Sequence, residues 1–179
     1  MVYVLLGAGF EETEAIAPID LLRRTNIPVL TVGLTGKRIT GGHNITVEAD
    51  ITIGQMDLTK MEMLVLPGGF GGVSSILNCQ PAMDAISFAW ENNKFIAAIC
   101  AAPTILAKLG ITDGKNATCY PSCEENMGSA NVINAPCVLD GRLITGASAG
   151  CATAFGLKLI EVLRGKDAKD TIERQIVIR

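Results

Sequence analysis

A cysteine stands where a buried strand is expected to run directly into a helix. The apolar run FIAAI occupies residues 95–99, Cys100 follows it, and Pro103 is suited to the first turn of a helix. This is the topology of a nucleophile elbow, which lifts a side chain into the open above a sheet. The free N–H groups and the dipole at a helix start favour a thiolate and lower the pKa of a cysteine. The pattern predicts a reactive Cys100; the alternative is a small cysteine that only fills space between strand and helix.

A glycine-rich turn follows an earlier apolar strand. Residues 66–72 read LPGGFGG, directly after the short apolar run that starts at residue 63. Glycines at a strand end let the backbone approach a ligand and direct N–H groups toward a developing negative charge. Gly68 and Gly69 are therefore candidates for binding an oxyanion, although a plain tight turn would explain the same residues.

Three carboxylates crowd the start of the first expected helix, where residues 7–14 read GAGFEETE. A dinucleotide-binding loop needs a third glycine where Glu12 stands, and carboxylates do not suit a helix start that receives a pyrophosphate. Glu11 and Glu12 instead suit the capping of that helix. Glu14 differs from them in helical phase and is a candidate to point across the strand ends toward Cys100, although the residues alone favour a solvated helix glutamate.

Apolar periodicity predicts an alternation of strands and helices that would position these segments. We expect strands at residues 2–7, 27–33, 63–66, 95–99 and near 138 and 143, helices at 11–24, 81–92, 101–109 and 150–163, and a hairpin at 37–49. This order predicts an α/β fold with a flavodoxin-like, doubly wound, mostly parallel sheet and helices on both faces. Ligands of such folds bind outside the carboxyl ends of the strands, so the three segments are expected to converge at one edge.

The composition is that of an aliphatic chain with little charge. Hydrophobic residues make up 49% of the 179 residues and aromatic residues 4%, which suits strands that are buried on both faces. The length predicts one domain, residues 1–179. The net charge of −3 argues against a nucleic-acid partner, because binding to phosphates needs a basic surface.

The six cysteines are expected to be buried residues or reactive thiols in a reducing, cytoplasmic setting. The start, MVYVLL, is typical of a strand rather than a secretory signal, and the longest apolar stretch, residues 95–107, is too short for the roughly 20 residues of a membrane span. Zinc would need Cys119, Cys123 and Cys137 together with His43. The chain has no C-x-x-C pair and His43 is distant in sequence, so no metal, cofactor or membrane partner is expected.

Three motifs together resemble the ThiJ/PfpI superfamily, and most closely the branch of the Parkinson-disease deglycase protein and its bacterial relatives. They are GFEETEA at residues 9–15, LPGG at 66–69 and AAICAAP at 97–103, in the family's order and spacing. The resemblance covers essentially the whole chain. It implies an oxidation-prone nucleophile at Cys100, a hydrogen-bonding partner at Glu14, and oxyanion N–H groups from Gly68, Gly69 and Ala101. It also implies the flavodoxin-like fold and a homodimer.

Two segments depart from that family pattern. Many catalytic members place a histidine just before a proline near the cysteine, but this chain has Tyr120 before Pro121. The lone histidine, His43, lies on the expected hairpin and is a poor substitute on sequence grounds. The loop that usually resembles Ser-Arg-Gly-Pro-Gly reads GASAG at residues 146–150. Tyrosine is a poor base at neutral pH because its pKa is near 10.

Two adjacent acids at Glu14 and Cys100 should share a single negative charge and titrate as a unit. The expected resting state is a protonated Glu14 that donates to a Cys100 thiolate. Our first functional hypothesis is a glyoxalase- or deglycase-like hydrolase or lyase that acts on small reactive carbonyls, with Cys100 as nucleophile, Glu14 as proton carrier and Tyr120 as at most a hydrogen-bond donor. The second is a non-catalytic redox sensor, chaperone-like dimer or small-ligand binder that uses Cys100 as a switch. A PfpI-type cysteine peptidase is third.

Overall fold

Strands and helices alternate along residues 1–178, which the computed structural model describes. The strands are β1 (Val2–Leu6), β2 (Val29–Gly33), β3 (Arg38–Thr40), β4 (Thr46–Glu48), β5 (Ile51–Thr52), β6 (Met63–Leu66), β7 (Phe95–Ile99), β8 (Asn116–Ala117), β9 (Asn131–Val132), β10 (Cys137–Asp140) and β11 (Leu143–Gly146). The helices are α1 (Glu12–Arg24), α2 (Phe70–Leu77), α3 (Gln80–Glu91), α4 (Pro103–Lys108), α5 (Ala152–Arg164) and α6 (Lys166–Gln175).

The central sheet has the order β10-β11-β7-β6-β1-β2-β5. Neighbouring strands pair in parallel, except that β10 runs antiparallel to β11 at one edge. The inner order β2-β1-β6-β7-β11 is that of flavodoxin-like sheets, and the strand order reverses between β1 and β6. The α/β fold with a mostly parallel, doubly wound sheet is confirmed.

Side chains of the inner strands alternate between two apolar layers, one on each face of the sheet. In β1, Tyr3 and Leu5 belong to one layer, which α2, α3 and α4 cover. Val2, Val4 and Leu6 belong to the other, which α1, α5 and α6 cover. This alternation follows from the period of two in an extended strand, and it explains why β6 and β7 are apolar at every position.

Helix α1 lies close to α5 because a glycine stands at their contact. A Cβ on Gly156 would lie 2.7 Å from Leu21 Cδ1 and 3.0 Å from the Cα of Pro18. No larger residue fits between the two helices without moving them. This close contact sets the position of α1, and α1 carries Glu12 and Glu14 across the carboxyl edge of the sheet.

The expected turn at residues 66–72 is wrong in part, because α2 begins within it at Phe70. Glycines disfavour a helix interior by about 1 kcal/mol each, so the sequence predicts a loop there. Packing reverses that preference: a Cβ on Gly72 would lie 2.8 Å from the Cα of Phe10, and one on Gly71 would lie 3.0 Å from the Cα of Gly9. The glycines let the first turn of α2 rest on the loop after β1.

Helix α6, a polar helix directly after Gly165, was not predicted from the sequence. Its surface carries i,i+4 ion pairs, Lys166 with Asp170 and Lys169 with Glu173, which stabilise a helix modestly. Ile172 anchors it to the core. Among residues 1–178, no helix combines the length and apolar character needed to cross a bilayer.

Candidate active site

A cavity of about 610 Å³ opens at the carboxyl edge of the sheet, around the ends of β1, β6 and β7. Its walls come from five loops and from the β3–β4 hairpin. The residues that line it are Gly9, Glu11, Glu14, Gly42, His43, Gly69, Phe70, Gly71, Cys100, Ala101, Tyr120, Ser148, Ala149 and Gly150. The structure thus brings Cys100, Glu14, Gly69, Ala101 and Tyr120 together. Gly68 adjoins them through its contacts with Glu14 and Cys100.

Cys100 occupies a strained backbone position at the end of β7. Its φ is +66°, in the left-handed region that costs a residue with a side chain roughly 1–2 kcal/mol. Two backbone hydrogen bonds hold it there: its N–H donates to the Gly146 carbonyl at 2.9 Å, and its carbonyl accepts from the Tyr120 N–H at 2.8 Å. The strain turns the half-buried side chain out of the sheet and into the cavity.

The Gly68–Gly69 turn lies in close contact with Glu14 and Cys100, the two acids of the site. A Cβ on Gly68 would lie 2.5 Å from Glu14 Oε2 and 2.7 Å from Cys100 Cβ, and Gly69 has a φ of +81°. The Gly68 N–H donates to Glu14 Oε2 at 2.9 Å. The N–H groups of Gly69 and Ala101 lie near enough to the Cys100 sulfur to act against the rise in its pKa. Two donors therefore converge where a negative charge on sulfur or on a bound substrate would lie.

Glu14 is completely buried although it lies in the first turn of α1. Glu11 caps that helix: its carboxylate accepts the Glu14 N–H at 2.7 Å, as the sequence suggested for the acidic helix start. Within the described residues, Oε1 of Glu14 is buried and has no hydrogen-bond partner. Because Oε2 is already bound by Gly68, Oε1 is the oxygen left to exchange a proton with the neighbouring thiol. The solvated glutamate that the residues alone favour is ruled out.

Burial dominates the acidity of this pair. It raises the pKa of Glu14 to about 7, against the opposing effects of Cys100 and of the Gly68 N–H. Burial, followed by the charge of Glu14, also raises the pKa of Cys100 to about 12, although the Gly69 and Ala101 N–H groups act in the other direction. At neutral pH the pair therefore carries one shared negative charge at most.

The pKa of the Cys100 thiol is thus raised, opposite to the lowering that the sequence predicts for a helix start, and the resting thiolate stays a prediction. A helix dipole was expected at the sulfur, but α4 begins only at Pro103 and has six residues. Its dipole is weak at Cys100 because the effect falls off within about one turn. Desolvation by the surrounding core is the larger effect, and the flanking residues alone do not reveal it.

Tyr120 contributes a wall of the cavity. Its ring meets that of Phe70 edge to face, with 6.3 Å between centroids. Phe70 is 70% exposed and Tyr120 38% exposed, so this aromatic pair stands at the mouth of the cavity. The Ser148–Gly150 segment, which lacks the arginine and proline of the family pattern, forms another part of the wall.

His43, which the sequence places on the hairpin as a poor substitute for the family histidine, also lines the cavity. The tip of the β3–β4 hairpin folds over the start of α1, where Glu12 holds it. Glu12 Oε1 accepts the His43 N–H at 2.7 Å, and Oε2 lies 2.9 Å from the ring Nδ1. The only signal in the sequence was the Gly41-Gly42 turn beside the lone histidine, because the contact with Glu12 spans about 30 residues.

Glu12 and His43, together with Glu11, form the one group of three potential metal ligands found in residues 1–178. One ligand atom each from Glu11, Glu12 and His43 lies within 4.8 Å of the others. Hydrogen bonds from the Glu14 N–H and from the hairpin already occupy these carboxylates, so we assign no metal here. The cysteines considered for zinc, Cys119 and Cys123, are free thiols outside this cluster.

Comparison with known proteins gives a consistent result. The model of the DJ-1/PfpI family matches residues 1–162. The Drosophila melanogaster protein dj-1beta is 35% identical over 178 residues, which cover 98% of this chain and 95% of the relative. A deglycase of Pyrococcus abyssi is 29% identical over 91% of this chain and 99% of its own length. The crystal structure of Drosophila DJ-1beta superposes with a TM-score of 0.95, at 34% identity over 99% of this chain and 97% of the other.

The shared proton predicts an unusual pH profile for alkylation of Cys100 by iodoacetamide. Moving the thiol proton onto ionised Glu14 gives a thiolate without changing the net charge, so the rate should rise with pH through about 7 and then level off. In Glu14→Gln that step should vanish, and the rate should keep rising at alkaline pH. Peptide mass spectrometry gives both rates, with Cys79, outside the cavity, as internal control. Superimposable Cys100 profiles in the two proteins would contradict the shared proton.

Proposed function

The chain belongs to the DJ-1/PfpI family, and from this premise we propose that it is a cysteine-dependent enzyme acting on small reactive carbonyls. Methylglyoxal and its early adducts are the substrates we infer. One observation carries the proposal: Cys100, buried Glu14 and the N–H groups of Gly69 and Ala101 converge on a single cavity. The deglycase name of the Pyrococcus abyssi relative supports the same class of chemistry.

The proposed first step is attack of the Cys100 sulfur on the aldehyde carbon. Glu14 takes the thiol proton as the S–C bond forms, which suits a carboxyl group whose pKa is about 7. The former carbonyl oxygen becomes an oxyanion that the Gly69 and Ala101 N–H groups stabilise. Glu14 then returns the proton to that oxygen, and the product is a hemithioacetal with no change in net charge.

The cavity favours a small-molecule substrate over a polypeptide. Its volume of about 610 Å³ admits methylglyoxal and larger adducts. Peptidase activity is the weakest proposal because the position of the family histidine holds Tyr120, whose ordinary pKa near 10 makes it a poor base. We assign to Tyr120 a hydrogen bond to substrate at most. The six free thiols support the further proposal of a cytoplasmic setting.

Purified protein should consume methylglyoxal, and Cys100→Ala should abolish that turnover because the covalent step is lost. Glu14→Gln should reduce kcat by about 10²- to 10⁴-fold, as expected for a missing general base. The wild-type rate should rise with pH through about 7, because Glu14 accepts a proton only when ionised. Cys79→Ala is the matched thiol control and should retain full activity. Equal turnover by wild type and Cys100→Ala would exclude the proposed enzyme.

A second candidate function is a redox switch at Cys100. The same N–H donors and a protonated Glu14 would hold an oxidised sulfur as well as an oxyanion, and the loss of the family histidine at Tyr120 weakens catalysis without affecting oxidation. Mild peroxide should convert Cys100 to its sulfinate before the other five thiols change. Glu14→Ala should alter the extent or product of that oxidation in peptide mass spectra. Identical oxidation products in both proteins would argue against this candidate.

We also propose a homodimer, in line with the family resemblance. On α1, Ile16 is 44% exposed, which leaves an apolar side chain open to a second copy. Light scattering after size exclusion should give twice the chain mass of 18.8 kDa at micromolar concentration. Ile16→Asp should weaken the dimer, whereas Leu139→Asp, at 46% exposure on the edge strand β10, is the matched control. A monomer mass for the wild type would refute the proposal.

A further inference from the structure

We propose that His43, held by Glu12, is the acid–base residue that serves the substrate oxygen remote from Cys100. The inference rests on the proposed carbonyl chemistry. It assigns the proton carrier for the second carbonyl oxygen, which the residues named so far do not provide. A 2-oxoaldehyde has two carbonyl oxygens, and only the one on the attacked carbon lies at the Gly69 and Ala101 donors. The second oxygen needs its own proton carrier, and Tyr120 is unsuited to that task near pH 7.

The geometry supplies such a carrier at the tip of the hairpin. Glu12 is 7% exposed, and its carboxylate is bound almost wholly by the hairpin: Oε1 accepts the N–H groups of His43 and Ile45 at 2.7 and 3.4 Å, and Oε2 contacts Nδ1 of His43 at 2.9 Å. A Cβ on Gly41 would lie 2.3 Å from Oε1. The hairpin tip is therefore shaped around this carboxylate, which fixes the position of the imidazole.

The hydrogen bond from Nδ1 to Glu12 also fixes the role of the other ring nitrogen. A carboxylate accepts the Nδ1 proton, so Nε2 is the ring atom left to exchange protons with the cavity that His43 lines. An acid that orients a histidine through one nitrogen while the other reacts is a recurrent arrangement in enzymes. The ring is 74% exposed on the side-chain scale, which a purely structural link between hairpin and helix would not require.

The charges around His43 favour its protonated form. The hydrogen bond and charge of Glu12, and then the charge of Glu11, raise the pKa of His43 above its ordinary value of 6.5. Across the cavity the titratable groups are Glu14, Cys100 and Tyr120. With Glu14 ionising at about 7, a pH range near neutrality contains both a carboxylate base beside the sulfur and an imidazolium acid at the opposite wall.

These two groups complete an internal redox reaction in the hemithioacetal. Glu14 removes the hydrogen of the carbon bonded to sulfur as a proton, while His43 protonates the neighbouring carbonyl oxygen, which gives an enediol. Glu14 returns its proton to the second carbon, and His43 recovers one from the first hydroxyl, which leaves a thioester. The aldehyde carbon is oxidised and the ketone carbon is reduced. Water then cleaves the S–C bond, releasing a 2-hydroxy acid and the Cys100 thiol.

The test is lactate formation from methylglyoxal by the full chain. His43→Ala should lower kcat by at least about tenfold with little change in KM, and added imidazole should restore part of the loss because the cavity is open. The wild-type rate should fall as pH rises through the pKa of His43, and that fall should be absent in His43→Asn. Glu48→Ala, exposed on the same hairpin and outside the cavity, is the control and should behave as wild type.

The outcomes separate this proposal from the one on which it rests. Turnover that requires Cys100 but is unchanged in His43→Ala overturns the role of His43 alone. A loss in His43→Ala that imidazole does not restore, with the alkaline fall still present in His43→Asn, assigns the histidine a structural role and also overturns it. Inhibition by EDTA would indicate a metal ion bound by Glu11, Glu12 and His43. That result would overturn the role of His43 as the acid. Absence of Cys100-dependent turnover in the wild type overturns both proposals.

Discussion

The site depends on a buried carboxylate for which residues 1–178 provide no cationic partner. Glu14 is fully buried, with one backbone N–H on Oε2 and a thiol as its neighbour. Because the folded pKa of about 7 lies above the ordinary 4.5, the folded state binds the proton more tightly than the unfolded chain. This binding stabilises the fold fully below about pH 4.5 and is lost as pH rises through about 7, a difference of about 3 kcal/mol. Above about pH 7 the fold therefore lacks this stabilisation, and Glu14 is available as a base that titrates near neutral pH.

The surrounding backbone is arranged to permit that burial. Gly68 must lack a side chain because a Cβ would overlap both Glu14 and Cys100, and Cys100 must adopt a left-handed φ to meet the carboxylate from the other side. These features come from α1, β6 and β7, three elements that are far apart in the chain and adjacent only at the carboxyl edge of the sheet. The strain at Cys100 is sustained because the parallel strands beneath it are buried on both faces.

The sequence predicted features that depend on local pattern, and it failed where distant contacts decide. Buried strands, the elbow at Cys100 and the hairpin at residues 37–49 follow from periodicity and glycine placement. Helix α2 was missed because its glycines pack on Phe10, a contact invisible in its own segment. The direction of the Cys100 pKa shift was predicted wrongly because desolvation by the core exceeds the effect of the N–H groups near the sulfur. The place of His43 in the cavity wall was not predicted, because the sequence of a hairpin does not reveal which part of the fold its tip contacts.

Glu12 and Glu14 lie two positions apart on α1, yet their surroundings shift their pKa values in opposite directions. Burial, followed by the charge of Glu11, raises the pKa of Glu14, since one N–H and a thiol compensate little. At Glu12 burial acts the same way, but the hydrogen bonds from His43 and the hairpin exceed it and lower the pKa. Two neighbouring acids whose pKa values are shifted in opposite directions are suited to distinct roles. Glu14 can exchange a proton near pH 7, whereas Glu12 stays ionised and orients the histidine. One turn of helix thus provides both the base at the sulfur and the support for an acid across the cavity.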